Sequence, residues 1–132
     1  MTADPKKRVI GLGGIFFKAK DPQSMYQWYE KHLGIQVHPG AGGMFPWRRA
    51  EDPAQETVTV WSIFPHHSKK FDPSTASFMI NYQVEDLHGL LQALRAEGVT
   101  IDPKVEDHEY GKFAWIMDPE GNRIELWEPP KE

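Results

Sequence analysis

One carboxylate near the end of the chain, Glu125, lies where a carboxylate is able to do chemistry. It belongs to the segment "WIMDPEGNRIELWEPP", residues 115–130, and its neighbours Ile124 and Leu126 are aliphatic residues that should be buried. Burial raises the pKa of a carboxyl group, which would let Glu125 act as a general base or acid. Coordination of a metal is a second interpretation. A purely structural ion pair with Arg123 or another basic residue is a third, and the sequence leaves all three open.

Other catalytic motifs are absent from the sequence. "GLGGIF" has the first glycines of a dinucleotide fingerprint, but the third glycine is missing and the segment is a predicted strand. Ser62 and Ser68 are near His66 and His67, yet no oriented acid or oxyanion loop accompanies them. Because the chain has no Cys, it has no disulfide, no zinc-cysteine cluster and no thiol nucleophile. Glu125 is therefore the main chemical candidate.

Composition narrows the class of protein. With 132 residues and 39% hydrophobic residues, the chain is expected to fold as one domain over residues 1–132. The net charge is −4 and no run of Lys or Arg is longer than a pair, so we expect neither nucleic acid nor a membrane surface as a partner. The N-terminal segment has no apolar core typical of a signal peptide, and no stretch could span a bilayer. These features predict a cytoplasmic protein.

The elements that must position Glu125 form an internal repeat. A strand, a capping Asp, a helix and a closing Gly occur twice, with Gly34 thirteen residues after Asp21 and Gly98 twelve residues after Asp86. A short strand is expected around Met44 to Arg48, and a hairpin precedes the C-terminus. The repeat predicts two βαβββ modules, which pair because one module alone leaves a face of its sheet open.

The boundaries of the modules follow from the repeat. Module one covers about residues 7–65, a polar connector covers residues 66–76, and module two covers about residues 77–129. The connector reads "HHSKKFDPST" and is expected only to separate the two modules.

Three segments carry a resemblance to a known family. "KAKDPQSMYQWYEKHLGI", "NYQVEDLHGLLQALRAEGV" and "DPEGNRIELWEPP" resemble the vicinal-oxygen-chelate superfamily, which contains glyoxalase I, extradiol dioxygenases and bleomycin-resistance proteins. The resemblance implies an α+β fold in which two βαβββ modules form a curled mixed sheet around a cavity, and it implies a homodimer. It also implies a divalent metal held by residues of the first, fifth and eighth strands, with a further ligand on strand four in glyoxalase I.

Few residues of this chain match the metal ligands that the resemblance implies. The ligands of the first and fifth strands precede each capping Asp by seven residues, where this chain has Gly14 and Met79. The strand-four ligand aligns best with Trp61, which is no metal ligand. Of the four expected ligand positions, only the last, at Glu125, has a residue that could bind a metal. One carboxylate is too few ligands for a catalytic metal, so we predict no metal site and no cofactor, with a divalent metal kept as an alternative.

The histidines of the chain do not replace the missing metal ligands. His66 and His67 are adjacent in the connector, where neighbouring side chains project in different directions. The other histidines are dispersed over predicted helix ends and loops, and we expect a surface role for His32, His38, His88 and His108.

Strand alternation predicts the lining of the cavity. If Gly14, Trp61, Met79 and Glu125 face inward, residues two positions away along each strand face inward too. The expected ligand-binding residues are Phe16, Trp61, Met79, Asn81, Arg123 and Trp127, together with Ile63. Such a pocket is apolar and aromatic with a single carboxylate and a single amide. It suits a small aromatic or amphipathic organic molecule whose polar end is fixed by Glu125 and Asn81.

Two functions fit these predictions. The first is a glyoxalase-like lyase or isomerase that acts on a carbonyl or vicinal-oxygen compound, with Glu125 as the proton-transfer base. The alternative is a non-catalytic binder that sequesters a small molecule, as the bleomycin-resistance proteins do. Loss of the His positions favours the binder, whereas retention of Glu125 within "NRIELWEP" favours the enzyme. The fold alone does not decide between them.

Overall fold

The computed structural model describes residues 8–131, so Lys7, at the predicted start of module one, and both chain ends lie outside the described residues. The elements in chain order are β1 (Val9–Ala19), α1 (Pro22–Leu33), β2 (Gly43–Arg49), β3 (Asp52–Pro65), β4 (Phe78–Val84), α2 (Leu87–Ala96), β5 (Ile101–His108), β6 (Gly111–Met117) and β7 (Arg123–Glu128). The predicted α+β fold class is confirmed. No helix among residues 8–131 is long and apolar enough to cross a membrane.

The two helices begin at the predicted Asp residues. The Asp21 carboxylate accepts a hydrogen bond from the Ser24 backbone N–H at 3.3 Å, and the Asp86 carboxylate accepts one from the Gly89 N–H at 3.1 Å. Both bonds satisfy an N–H group that has no partner within its own helix. At the end of α1, Gly34 adopts the left-handed conformation that terminates a helix. The repeated Asp–helix–Gly spacing therefore predicted the helices correctly.

The strands form one open mixed sheet with the order β2-β3-β1-β4-β7-β6-β5. β1 and β4 pair antiparallel at its centre, and each has a parallel partner from its own module, β3 for β1 and β7 for β4. Helix α2 covers one face, where Leu87, Leu90 and Leu91 pack with Val84 and Leu126 in a buried cluster. The side chains that alternate with this cluster face the opposite side of the sheet, where the cavities lie.

The first module has one strand fewer than predicted. The short strand expected around Met44 to Arg48 is present as β2, but the part of the chain between α1 and β2 contains only a single bridge between His38 and Gly42. Gly40 and Gly42 have φ values of 77° and 78°, which turn the backbone where module two has β5. Within the described residues, module one is therefore βαββ, and β2 is an edge of the sheet.

Candidate functional site

A row of residues crosses the cavity face of the sheet. Strand pairing aligns Val60 with Gly14, Gly14 with Asn81, Asn81 with Glu125, and Glu125 with Trp115. Residues that pair directly across strands project to the same face. The row therefore places the Glu125 carboxyl group between an amide on one side and an indole on the other.

The Glu125 carboxylate accepts one hydrogen bond on each oxygen. The Asn81 side-chain Nδ2 donates to Oε1 at 2.6 Å, and the Trp115 indole Nε1 donates to Oε2 at 2.9 Å. Asn81 is only 2% exposed and Trp115 only 8%, so both donors are held in place by the packing around them. The carboxylate is thereby fixed in one orientation by two uncharged groups.

The ion pair with Arg123, one of the three interpretations that the sequence left open for Glu125, does not form. Arg123 instead pairs with Asp102, with 3.0 Å between Nη1 and Oδ2, and its guanidinium lies 5.3 Å from the centroid of the Trp115 ring. In the range 8–131, Glu125 has no ion-pair partner. Its side chain is therefore free of the charge pairing that a structural carboxylate usually has.

Burial raises the pKa of the Glu125 carboxyl group above its ordinary value, because the charged form loses contact with water. The hydrogen bonds from Asn81 and Trp115 act in the opposite direction, since they stabilise the carboxylate. The charge of Glu106 raises the pKa further, and the charge of Arg123 lowers it. The net effect is a raised pKa, which brings Glu125 closer to the pH range in which one group can both accept and return a proton.

Two cavities meet at Glu125. The larger one, which we call the polar chamber, has a volume of about 650 Å³ and is lined by Lys69, Lys70, Lys104, Glu106, His108 and Arg123. The smaller one, the apolar chamber, has a volume of about 410 Å³ and is lined mainly by Met44, Val58, Val60, Tyr110 and Trp127, with the exposed Glu109 also among its lining residues. Phe16, Phe113 and Glu125 line both chambers. A molecule that spans the two chambers would have polar and apolar ends and would pass Glu125 in between.

The structure brings most of the predicted lining residues to these chambers. Met79 and Arg123 lie in the polar chamber, Asn81 and Trp127 in the apolar chamber, and Phe16 in both. Their roles in binding remain predictions.

The inward orientation predicted for Trp61 and Ile63 is wrong. The Trp61 ring packs against α1, with centroid distances of 5.7 Å to Tyr26 and 5.0 Å to Tyr29. The strand register pairs Gly14 with Val60, so the residues of β3 on the cavity face are even-numbered. A shift of one residue in the alignment of a strand exchanges its two faces, which explains the error.

Several lining residues were not predicted. Lys69 and Lys70 belong to the connector, which was expected only to separate the modules, and Lys104 and Glu106 belong to β5. His108, expected at the surface, is exposed but lines the polar chamber and stacks on Phe113 at 5.2 Å. A sequence signal did exist for the connector, because Phe71 is its one large apolar residue and is fully buried.

The row around Glu125 does not suit a divalent metal. A Cβ atom at Gly14 would lie 2.7 Å from Cζ of Phe16, so the Phe16 ring fills the space that a ligand on this strand needs. Met79 and Val60 supply no oxygen or nitrogen donor, and both Glu125 oxygens already accept hydrogen bonds. Within residues 8–131, no group of three or more His, Asp or Glu side chains could hold a metal ion.

Solved structures with the same fold come from several bacteria. Methylmalonyl-CoA epimerase from Mycobacterium tuberculosis has a TM-score of 0.61 and 19% identity, with 98% of this chain and 94% of that chain covered. A methylmalonyl-CoA epimerase from Streptomyces coelicolor in complex with 2-nitronate-propionyl-CoA has a TM-score of 0.66 and 12% identity, with 93% and 99% covered. At such identities the likeness shows the fold alone.

A third similar structure is described by its superfamily and not by an activity. It is a glyoxalase/bleomycin resistance protein/dioxygenase superfamily member from Vibrio splendidus 12B01, with a TM-score of 0.54 and 15% identity over 86% of this chain and 95% of that chain. A search of curated proteins found no match. The model of the Glyoxalase/Bleomycin resistance protein/Dioxygenase superfamily matches residues 11–126, nearly the whole sequence. The chain therefore belongs to this superfamily.

Proposed function

We propose that this protein is a lyase or isomerase that acts on a small organic carbonyl compound, with Glu125 as the base that removes a proton from carbon. The observation that carries the proposal is the position of Glu125 at the junction of the two chambers, with a raised pKa and no ion pair among the described residues. A buried carboxylate with a purely structural role is usually paired with a cation. This one is oriented by uncharged donors and faces open space.

The proposed step is proton transfer next to a carbonyl group. The Glu125 carboxylate takes a proton from the carbon beside the carbonyl, and the electron pair of the broken C–H bond moves onto the carbonyl oxygen as an enolate. In the isomerase reaction Glu125 delivers the proton to the former carbonyl carbon of an α-hydroxy carbonyl compound, while a proton passes from the hydroxyl oxygen to the enolate oxygen, so that the carbonyl and hydroxyl groups change places. In the lyase reaction the enolate re-forms its carbonyl group and expels a leaving group from the next carbon, which leaves a carbon–carbon double bond. Each Glu125 oxygen accepts one hydrogen bond, so each retains a lone pair for the incoming proton. The raised pKa brings the base closer to the working pH, where proton transfer is most efficient.

One line of support comes from outside the site geometry. The similar structures include epimerases, which are isomerases, and one of them contains a CoA ester. We also propose that the step needs no resident metal, because the row around Glu125 lacks further ligands. Metal analysis of protein purified without chelator tests this point. Near-stoichiometric nickel, zinc, iron or manganese that disappears in Glu125→Ala would overturn it.

Deuterium exchange tests the proposed reaction without knowledge of the final product. A panel of 2-oxo acids, aldehydes and thioesters is first screened for binding by thermal shift, since a ligand of the native state raises the melting temperature. Compounds that bind are then incubated with the protein in D₂O, and deuterium incorporation beside the carbonyl is followed by NMR. We expect exchange with the unaltered protein and a loss of about 100-fold or more in Glu125→Gln.

A matched control separates the role of Glu125 from the loss of one negative charge. Glu97 is exposed, pairs with Arg8 at 2.8 Å and lies outside both chambers, so Glu97→Gln should exchange at the normal rate. If compounds bind but none exchanges deuterium, the enzyme hypothesis is wrong and the alternative, a non-catalytic binder of the bleomycin-resistance type, is favoured. Equal exchange by Glu125→Gln and the unaltered protein would also contradict the proposal.

We further propose a homodimer, supported by the position of β2 at one edge of the sheet. Met44 and Phe45 on this strand are 46% and 44% exposed, and Met44 also lines the apolar chamber. A partner at this edge would cover apolar surface that is otherwise in contact with water. Light scattering should give twice the mass of the chain, and Phe45→Lys should reduce the apparent mass. A monomer at all concentrations tested would contradict the proposal.

A further inference from the structure

The polar chamber is positively charged within a chain whose net charge is negative. Its lining contains four basic side chains, Lys69, Lys70, Lys104 and Arg123, against the two carboxyl groups of Glu106 and Glu125, whereas the whole chain has a net charge of −4. Charges of one sign that line a cavity concentrate their field inside it. An anionic ligand is therefore favoured in this chamber over a neutral or cationic one.

Two of the basic residues have no acidic partner among residues 8–131. Lys104 pairs with Glu106 at 2.9 Å and Arg123 with Asp102 at 3.0 Å. Lys69 and Lys70 make no ion pair within the part of the chain that the structure describes. The buried Nε of Arg123 also has no hydrogen-bond partner among these residues. The chamber thus keeps unused positive charge and an unused donor.

The two lysines are held at the chamber by a structured connector. Phe71 is fully buried and packs against Phe64 with ring centroids 5.3 Å apart, in the same cluster as Phe16 and Met79. The backbone N–H of Lys70 donates to the Ser68 hydroxyl, and the N–H of Asp72 donates to the Lys69 carbonyl. Because the next residue is anchored in the core, the backbone of both lysines is fixed at the cavity wall.

We propose that the two chambers together select an amphipathic organic anion. Its carboxylate or other acidic group lies against Lys69 and Lys70, and its aliphatic or aromatic body enters the apolar chamber between Met44, Val58 and Trp127. Such a molecule passes Glu125 between its two ends, so the carbon beside its carbonyl group reaches the base. This last step rests on the proposed function, whereas selection of an anion does not.

A pair of fluorescent probes tests the ligand class. 8-Anilino-1-naphthalenesulfonate and N-phenyl-1-naphthylamine share one aromatic skeleton, but only the first has an acidic group. We expect the sulfonate to bind more tightly, with an affinity that falls as salt is added. Lys69→Ala/Lys70→Ala should weaken sulfonate binding about three- to thirtyfold, the range for two exposed charge contacts, and leave the neutral probe unchanged.

Three further variants show where the probes bind. Lys20→Ala/Lys31→Ala removes the same charge from residues outside both chambers and should leave both affinities unchanged. Val58→Phe fills the apolar chamber and should weaken both probes. Met44→Trp fills the same chamber from the edge strand. It replaces Val58→Phe in the experiment if circular dichroism shows that Val58→Phe does not fold.

The results distinguish this inference from the proposed reaction. Equal affinity for the two probes, or a loss in Lys69→Ala/Lys70→Ala no greater than in Lys20→Ala/Lys31→Ala, would overturn the inference. Glu125→Gln should not weaken sulfonate binding, because it removes a negative charge from the chamber lining and leaves both lysines in place. Failure of deuterium exchange with intact, lysine-dependent probe binding would reject the enzyme hypothesis and leave the ligand class standing.

Discussion

Asn81 donates a hydrogen bond to Glu125 across 2.6 Å, and the other atom of its amide group, Oδ1, is buried without a hydrogen-bond partner among residues 8–131. Leaving a buried acceptor unpaired costs about 1–3 kcal/mol. The amide orientation that incurs this cost is the one that gives Glu125 a donor. The amide of Asn81 thus orients the Glu125 carboxylate although its own oxygen stays without a hydrogen bond, and such arrangements occur at sites that shift a pKa.

Removal of the indole donor should change the pKa of Glu125. Trp115→Phe keeps an aromatic ring but removes the N–H that donates to Oε2 at 2.9 Å, so the carboxylate loses a stabilising contact and its pKa rises further. We expect the acidic limb of the pH–rate profile to move to higher pH and the free energy of unfolding to fall by about 1–3 kcal/mol near neutral pH. Exchange rates against pH and urea denaturation measure the two effects.

Trp127→Phe is the matched control for this experiment. Trp127 also lines a chamber, but its indole N–H donates to the Tyr110 carbonyl at 2.8 Å and not to Glu125. The control should lose stability without moving the acidic limb. A limb that moves equally in both variants would show that the bond from Trp115 does not set the pKa.

The pH dependence of stability should differ between the native protein and Glu125→Gln. The pKa of Glu125 is raised in the folded state above its ordinary value of 4.5. Between pH 4.5 and the pKa of the folded state, the folded protein therefore binds more protons than the unfolded one. Over this window the native protein loses stability as the pH rises, by at most about 1.4 kcal/mol per pH unit for one proton. Gln does not titrate, so the stability of the native protein minus that of Glu125→Gln should fall across the window and then level off. Urea denaturation at successive pH values measures it, and a difference that rises with pH would refute the raised pKa.

The repeated strand–Asp–helix–Gly pattern predicted both helices, because each capping Asp and each closing Gly acts only on the helix next to it. Trp61 was misplaced because its strand follows a variable loop, so the face it presents depends on pairing with β1 and not on local spacing. Lys69 and Lys70 were missed for a related reason. Their position at the cavity depends on where Phe71 packs, and that contact forms only in the folded chain. Local sequence is therefore enough to predict where a helix begins and ends. The register of a strand and the position of a loop depend on contacts with distant parts of the chain.

The charge of Glu106 should control the working pH of the base. Glu106 raises the pKa of Glu125 by repulsion, and it also pairs with Lys104 at 2.9 Å. Glu106→Gln removes the repulsion and frees the lysine charge, and both changes favour ionised Glu125. We expect the acidic limb of deuterium exchange to move to lower pH. Glu97→Gln, which removes the same charge far from the chambers, should not move it, and a limb that stays in place in Glu106→Gln would show that the two carboxyl groups are not coupled.

A methyl group beneath Asn81 should disturb Glu125 without touching it. A Cβ atom at Gly13 would overlap Asn81 Oδ1 and would lie 3.0 Å from Cγ of Gln83 and from Trp127, so Gly13→Ala must displace the Asn81 amide. Overpacking of this kind costs about 1–3 kcal/mol. Because the displaced amide no longer donates to Glu125, the pKa of Glu125 should rise and the acidic limb of exchange should move to higher pH.

A double-mutant cycle shows whether the effect of Gly13→Ala passes through Asn81. In an Asn81→Ala background the overlap with Oδ1 is gone, so the added methyl group should cost less stability and should no longer move the acidic limb. Urea denaturation and the pH profile of exchange give both quantities for the four proteins. Equal effects of Gly13→Ala in the two backgrounds would mean that Gln83 and Trp127 account for the cost, and that Gly13 has no part in positioning the base.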